Sequence, residues 1–339
     1  TAITLFAGAV FAAALWFVGP EKLAGVSSVA PWLILDRFTL FFSFLLCLGG
    51  ALAALLAGGY LPEHRIDRGE FYPLIIFSTV GAMILVAAGD MLSLFLGLET
   101  MSLGVYAMVG FRRASLRSTE AAVKYFMLGS FGAALLLYGG ALLYGATGHT
   151  DFVGIRAGLT NLAQGGKATS VGMSVAAAAL IIAGLAFKVS AVPFHMWTPD
   201  AYEGAPTPAT TYMAVAVKSA AFAMMLRVFI GAFSSSGLDS WAGGWPPVVA
   251  LLAVLTMTVA NFIAGQQESV KRMLAYSSIA HAGYVLLGVI AAPREGTGTT
   301  AYASVLFYLL AYTVSNLGAI GALILAGRRG AESVSYDDL

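Results

Sequence analysis

Charge is scarce in this sequence. Asp, Glu, Lys and Arg make up 10% of its 339 residues, where a soluble domain carries about 25%, and that shortage excludes a water-soluble globular class. Neither sign is in excess, since 18 Lys plus Arg stand against 17 Asp plus Glu. No basic surface therefore exists to draw nucleic acid or an acidic partner. A single cysteine, Cys47, sits in an apolar run. It excludes an internal disulfide and an iron–sulfur ligand set, and reads as a small buried hydrophobe. A Gly-rich phosphate loop and a flavin or nicotinamide fingerprint are also missing, so no cofactor site is expected in this chain and no redox chemistry of its own. The opening Thr1-Ala2-Ile3 offers no basic leader for a signal peptide. The chain starts inside an apolar run and stops in a short acidic segment after another, so a fragment at both ends is expected.

What is present is apolar sequence in long runs, 59% of all residues. A membrane helix needs about 20 apolar residues to cross a hydrocarbon core of roughly 30 Å. Runs of that kind lie near 1–18, 34–57, 71–88, 91–111, 118–146, 171–203, 207–232, 246–265, 270–292 and 300–327. They predict an all-α, multi-pass membrane protein forming a single membrane domain over 1–339, with the lipid bilayer as its first partner. Backbone polar groups in lipid must be satisfied within each segment, which leaves helices, and strand-like alternation is absent. Arg65, Arg68, Arg112, Arg113, Arg117, Lys271, Arg272, Arg328 and Arg329 fall after even-numbered runs, and Lys22, Arg156, Lys167 and Arg294 after odd ones. That bias puts the even connections and Thr1 on the cytoplasmic side.

One run differs from the rest. Gly184-Leu-Ala-Phe-Lys188-Val-Ser-Ala-Val-Pro193-Phe-His195-Met-Trp197-Thr-Pro199-Asp200 sets a lysine and two prolines in mid-span. Pro193 lacks an N–H and leaves the Val189 carbonyl without its helical partner, predicting a break. Helices broken at membrane depth border polar cavities and mark ion sites in transporters. Pro206 and Pro208 then open the next helix.

Four ionisable residues lie deep in apolar runs: Glu99, Lys188, Lys218 and His281. A charge at the centre of a membrane helix costs about 2.5–3.5 kcal/mol on insertion scales, so such groups are paired, hydrated or changing protonation. Burial and pairing act in opposite directions on a carboxyl and a lysine. Glu99 and Lys188 held close would form either a proton-trading switch or a static pair locking two helices. Lys218, flanked by Ser219 and alanines, has room for water and no carboxylate nearby in sequence; snorkelling is the alternative. Lys124 follows Glu120 by four residues, which suits an ordinary surface pair as well as an access path. His281, among Ser277, Ser278 and Tyr284, suits a proton relay as well as a bonded core histidine. His195, Asp200 and Glu203 cluster near the break without a standard zinc spacing, and are expected to cap helix ends or line an aqueous entry. Arg227 is expected to snorkel at the outer interface, and Asp90 to cap the helix beginning at Met91. The pattern as a whole predicts movement of protons or another small cation; a structural spacer whose charges only lock helices is the rival.

Several segments together resemble a known family. Glu99-Thr-Met-Ser-Leu-Gly-Val-Tyr106, Glu120-Ala-Ala-Val-Lys-Tyr-Phe-Met-Leu-Gly129, Phe187-Lys188 through Pro193-Phe-His-Met-Trp-Thr-Pro-Asp-Ala-Tyr-Glu-Gly-Ala-Pro-Thr-Pro208 and Lys271-Arg-Met-Leu-Ala-Tyr-Ser-Ser-Ile-Ala-His-Ala-Gly-Tyr284 look like the antiporter-like subunits of respiratory complex I. The Phe-His-Met-Trp-Thr-Pro-Asp-Ala-Tyr version is similar to the subunit N type, the relative of mitochondrial subunit 2. The resemblance implies an antiporter-like inverted-repeat helix bundle with broken helices, of which about ten helices are present here. Residues 71–232 would form the complete first repeat and 246–339 a truncated second one. It implies a proton-translocating subunit of an NADH:quinone oxidoreductase, driven by quinone reduction elsewhere. NADH, flavin, iron–sulfur clusters and quinone would be held by partner subunits, and neighbours of the K and M types would flank it in a bacterial inner membrane. Glu99, Lys188, Lys218 and His281 take the family's proton-carrying positions by this likeness, and Lys124 joins the candidates for proton translocation on its own position, as part of an access path. A cation–proton antiporter or hydrogenase-linked complex is the alternative assignment.

Overall fold

Apolar runs this long have one stable form in lipid, a helix whose backbone bonds close within the segment, and helices account for every regular element described. The structure, a computed structural model, describes residues 1–20, 31–234, 238–292, 298–327 and 335–336. Lys22, Arg294, Arg328 and Arg329, used in the charge count above, lie outside the described residues. In chain order the helices are α1 (Ala2–Val18), α2 (Arg37–Glu63), α3 (Phe71–Ala87), α4 (Met91–Val109), α5 (Leu116–Thr147), α6 (Phe152–Ala163) and α7 (Ala168–Val189). They continue as α8 (Trp197–Gly204), α9 (Thr207–Tyr212), α10 (Lys218–Leu226), α11 (Trp245–Ala264), α12 (Val270–Ala291) and α13 (Gly298–Ala326). A wider π turn at Met213–Val217 joins α9 to α10 and another at Arg227–Ala232 extends α10, so 207–232 forms a single 26-residue helical rod.

Eight helices among the described residues are long and apolar enough to cross a membrane. α1 and α3, at 17 residues each, stand at the lower limit for a crossing. All ten apolar runs therefore become helices. α6 was not foreseen: it fills the longest connection and buries Phe152, Ile155 and Leu159 on one face.

The rod 207–232 is the core, 89% buried in its most apolar stretch, against 22% for α11 and 33% for α5 and α13. Those outer helices leave Phe131, Phe262, Phe307 and Leu325 uncovered, an apolar surface suited to lipid. Small residues bring helices together where no hydrophobic drive operates. A Cβ on Gly132 of α5 would stand 2.8 Å from the Phe187 ring, and one on Gly184 of α7 the same distance from the Gly132 carbonyl. Only glycine allows α5 and α7 this close, and their contact places Phe187 and Lys188 against the core.

Starts and stops follow local chemistry. The Asp90 carboxylate accepts from Ser93 N at 2.7 Å, capping α4 as expected. α7 ends at Val189 with Ser190 in the left-handed region (φ 65°), a common way to close a helix. The segment to α8 contains a cis Val192–Pro193 bond, and the Val192 N–H donates to Thr256 Oγ1 of α11 at 2.9 Å. Here is the break that Pro193 predicted: what reads as one apolar run becomes two helices.

Candidate functional site: a buried lysine axis

The break positions Lys188. It lies in the last turn of α7, where the negative end of the helix dipole favours a cation. Lys188 is 5% exposed, and its Nζ donates to Ser102 Oγ of α4 at 2.7 Å. Ser102 in turn donates to the Leu98 carbonyl. Glu99 stands three residues before Ser102, on the same face of α4. No ion pair joins Glu99 to Lys188: Glu99 Oε1 is buried without a hydrogen-bond partner, and a hydroxyl holds the ammonium instead. The closed pair considered from sequence is therefore replaced by an open one, with Ser102 taking the ammonium. Aromatic rings wall the site. Tyr125 lies 5.8 Å from Lys188 Nζ and stacks on Trp197 at 4.3 Å. Trp197 anchors to the Phe187 carbonyl through Nε1 at 3.1 Å.

Lys218 opens α10 directly after the π turn Met213–Val217; such widened turns occur often at functional positions. Lys218 is 4% exposed, which excludes snorkelling. Its Nζ donates to the Ser278 carbonyl at 2.6 Å and to Ser278 Oγ at 2.5 Å, both on α12. His281 follows on the next turn of α12 and bonds through Nδ1 to the Tyr308 hydroxyl of α13. Lys218 and His281 thus belong to one polar cluster.

Lys124 does not join them. Its half-exposed ammonium meets Glu120 at 2.6 Å and Asp200 at 2.9 Å. Asp200 and Glu203 both bind Arg272 of α12, at 2.8 and 2.9 Å. Arg117, Glu120, Lys124, Asp200 and Glu203 line an open polar cavity of about 250 Å³. The carboxylates suspected near the break therefore serve cations, and His195 stays apart with a buried, unpartnered Nδ1.

One sequence expectation needs correction. Lys271, counted among loop cations, is 1% exposed and donates to the Ala205 carbonyl at 2.8 Å. The signal was present: Ser269 caps α12, which places Lys271 inside the first turn rather than before it. Arg227 lies beside the first residues of α2 and the end of α3, and it is paired there. Its guanidinium grips Asp36 through two bonds of 2.7 Å, meets Thr39 Oγ1 and the Val86 carbonyl, and covers the Phe38 ring at 4.4 Å. A planar fork matched to a carboxylate explains that choice. Burial opposes ionisation of Asp36, but the bonds and charge of Arg227, with the Thr39 bonds, outweigh it and hold its pKa below the ordinary value.

A polytopic helical membrane protein with a broken helix and buried lysines facing a polar interior is the class these features define. The family described as NADH:quinone oxidoreductase/Mrp antiporter, TM, matches residues 88–337, and the chain belongs to it. It is 73% identical over its whole length to NADH-quinone oxidoreductase subunit N 1 of Sorangium cellulosum, covering 66% of that relative. With NADH-quinone oxidoreductase subunit N of Trichlorobacter lovleyi it shares 45% identity over 90% of its length and 60% of the relative's. Among solved structures, a chain of respiratory complex I from Thermus thermophilus with bound aureothin superposes with a TM-score of 0.68 at 32% identity, over 98% of this chain and 71% of that one. A chain of the membrane-bound sulfane sulfur reductase, an archaeal respiratory membrane complex, gives 0.81 at 25% identity, over 99% and 67%. The chain thus spans somewhat under two thirds of the length of these curated relatives.

Proposed function

We propose that this chain is the subunit N type of membrane subunit in an NADH:quinone oxidoreductase, and that it moves protons along Glu99, Lys188, Lys218 and His281. The observation that carries the reading is the chemistry around the two buried lysines. Each is bound by hydroxyl or carbonyl oxygens alone, and the nearest carboxylate on α4 keeps an unpartnered oxygen. A closed ion pair would fix both charges; lysines held only by neutral oxygens can exist in either protonation state. Quinone reduction elsewhere in the complex perturbs the Glu99–Lys188 site, the proton on Lys188 is released toward Lys218, and His281 receives it next. Lys124, in its open cavity, serves the entry. NADH, flavin, iron–sulfur clusters and quinone belong to partner subunits, neighbours of the K and M types flank the chain, and the complex lies in a bacterial inner membrane with the arginine-rich connections inside. Residues 71–232 act as one complete repeat and those from 246 onward as part of a second.

The test uses the full-length gene, tagged, with Lys218→Ala beside wild type. Membranes are run on a native gel stained for NADH oxidation, and proton uptake by the same vesicles is recorded. Co-migration with the NADH-oxidising band, together with loss of uptake in an assembled Lys218→Ala complex, is expected. Migration apart from that band would transfer the chain to a cation–proton antiporter or hydrogenase-linked system. Normal uptake by Lys218→Ala would make the buried lysines structural.

A further inference from the structure

Four helices meet at one hydroxyl. Ser278 Oγ of α12 lies 2.5 Å from Lys218 Nζ of α10, 2.8 Å from the Tyr312 hydroxyl of α13, which donates to it, and 3.4 Å from the Tyr202 hydroxyl of α8. All four side chains are buried. We propose that the Ser278 hydroxyl, fed by Tyr202, is the relay through which Lys218 takes up its proton; the proposal rests on the proton-translocation reading above.

Hydrogen-bond capacity decides the arrangement. A serine hydroxyl has one proton to give and two lone pairs to receive with, and an ammonium can only donate. When Lys218 is charged, it and Tyr312 fill both lone pairs of Ser278. The serine proton then has one remaining acceptor, the Tyr202 oxygen. When Lys218 is neutral, its nitrogen carries a lone pair, the Ser278 proton turns to it, and Tyr202 donates into the vacated position on Ser278. The two arrangements differ by one concerted shift. A hydronium at Tyr202 gives its proton to the phenol oxygen, Tyr202 gives its own to Ser278 Oγ, and Ser278 gives its own to Lys218 Nζ. One O–H bond breaks and one forms at each hydroxyl, water is left behind, and Lys218 becomes an ammonium. The bonds that result are those of the charged state, so the relay resets only when Lys218 releases its proton.

The placement of Tyr202 suits the role. It sits on α8, the helix that follows the break, five residues after Trp197, whose ring stacks on Tyr125 beside Lys188. The Tyr202 carbonyl accepts from Thr210 Oγ1 at 2.9 Å, tying the end of α8 to α9. One short helix therefore touches the surroundings of both lysines, and a shift of α8 at the first site alters the Tyr202–Ser278 separation at the second.

The experiment places Ser278→Ala, Ser278→Thr, Tyr202→Phe and Lys218→Ala in the full-length subunit of the assembled complex, and follows proton uptake by vesicles in H2O and D2O. Ser278→Ala and Tyr202→Phe are expected to slow uptake by roughly tenfold or more, the scale of a lost proton-transfer group, with Ser278→Thr close to wild type and a changed solvent isotope effect in the slow variants. Normal uptake by Tyr202→Phe, with a Ser278→Ala defect that threonine does not relieve, would make the cluster a packing feature and overturn the relay. Normal uptake by Ser278→Ala beside a dead Lys218→Ala would overturn the relay while leaving the lysine axis intact. Normal uptake by Lys218→Ala would remove both. Should Ser278→Ala fail to assemble, Tyr202→Phe, which keeps the ring and removes only the hydroxyl, decides.

Discussion

The interior and the rim of this molecule treat their charges in opposite ways. At the rim, Lys124 and Arg272 share Glu120, Asp200 and Glu203 in a chain of ion pairs. In the interior, Lys188 and Lys218 meet oxygens that carry no formal charge. Water screens the rim and makes its pairs weak; the interior has no such screen, and a closed pair there would be hard to reopen. Serine hydroxyls next to both buried lysines satisfy the ammonium without fixing it. Ion pairs therefore gather at the rim, while the interior leaves its lysines to neutral oxygens.

Breaking the interior gives the largest effect. Lys218→Ala is expected to slow proton uptake of the assembled complex by roughly tenfold or more, a barrier increase of about 1.4 kcal/mol or greater, insensitive to added salt because the site is unscreened. Vesicle uptake at low and high ionic strength checks both parts. Glu99→Gln comes next. It leaves the shape of the site but removes the charge that Lys188 faces, and a fall of roughly fivefold is expected, about 1 kcal/mol of barrier. The same assay, with complex content read from a native gel, measures it.

The Arg227–Asp36 clamp lies between the two extremes, half-buried and fully paired. Asp36→Asn is expected to lower the thermal stability of the detergent-solubilised protein by about 1 kcal/mol after allowance for solvent screening. Because Arg227 holds the Asp36 pKa below its ordinary value, wild type keeps this contribution above the unfolded pKa, about 3.9, and loses it as pH falls through the lower folded value. Melting curves should therefore differ between wild type and Asp36→Asn at neutral pH and converge only as pH falls below the lowered folded pKa of Asp36. The smallest effect is expected at the rim. Lys124→Ala should lower uptake by about twofold or less, and added salt should erase the difference, since exposed pairs are screened. A Lys124→Ala defect as deep as that of Lys218→Ala would collapse the contrast between rim and interior.

Legibility follows the same division. Lys188, Lys218 and Glu99 stand out in sequence because an apolar run makes any charge conspicuous. Pro193 announces the break by removing an N–H that the helix needs, and Asp90 announces its cap by preceding an apolar run. Lys271 escaped because it lies at the edge of a run, where a loop cation and a buried one look alike until the Ser269 cap is given its due. The partner of Arg227 escaped for another reason: Asp36 is 191 positions away, and no local pattern links them. α6 hides in a connector whose mixed composition gives no long apolar run. Ser278 drew notice only as a neighbour of His281, with nothing to link it to Lys218, and Tyr202 carries no signal of its own, being a common residue in a helix of ordinary pattern.

Sequence alone determined that this chain is helical and membrane-embedded, where it breaks, and which residues bring charge into an apolar interior. These are consequences of solvation and backbone bonding, and both act over a few turns of chain. The tertiary structure decided which oxygen each buried lysine meets. That choice left Glu99 open with Ser102 on the Lys188 ammonium, and placed Ser278 among Lys218, Tyr202 and Tyr312. Hydrogen bonds reach about 3 Å, so their partners are set by the packing of helices far apart in sequence, and no single stretch of chain contains that information.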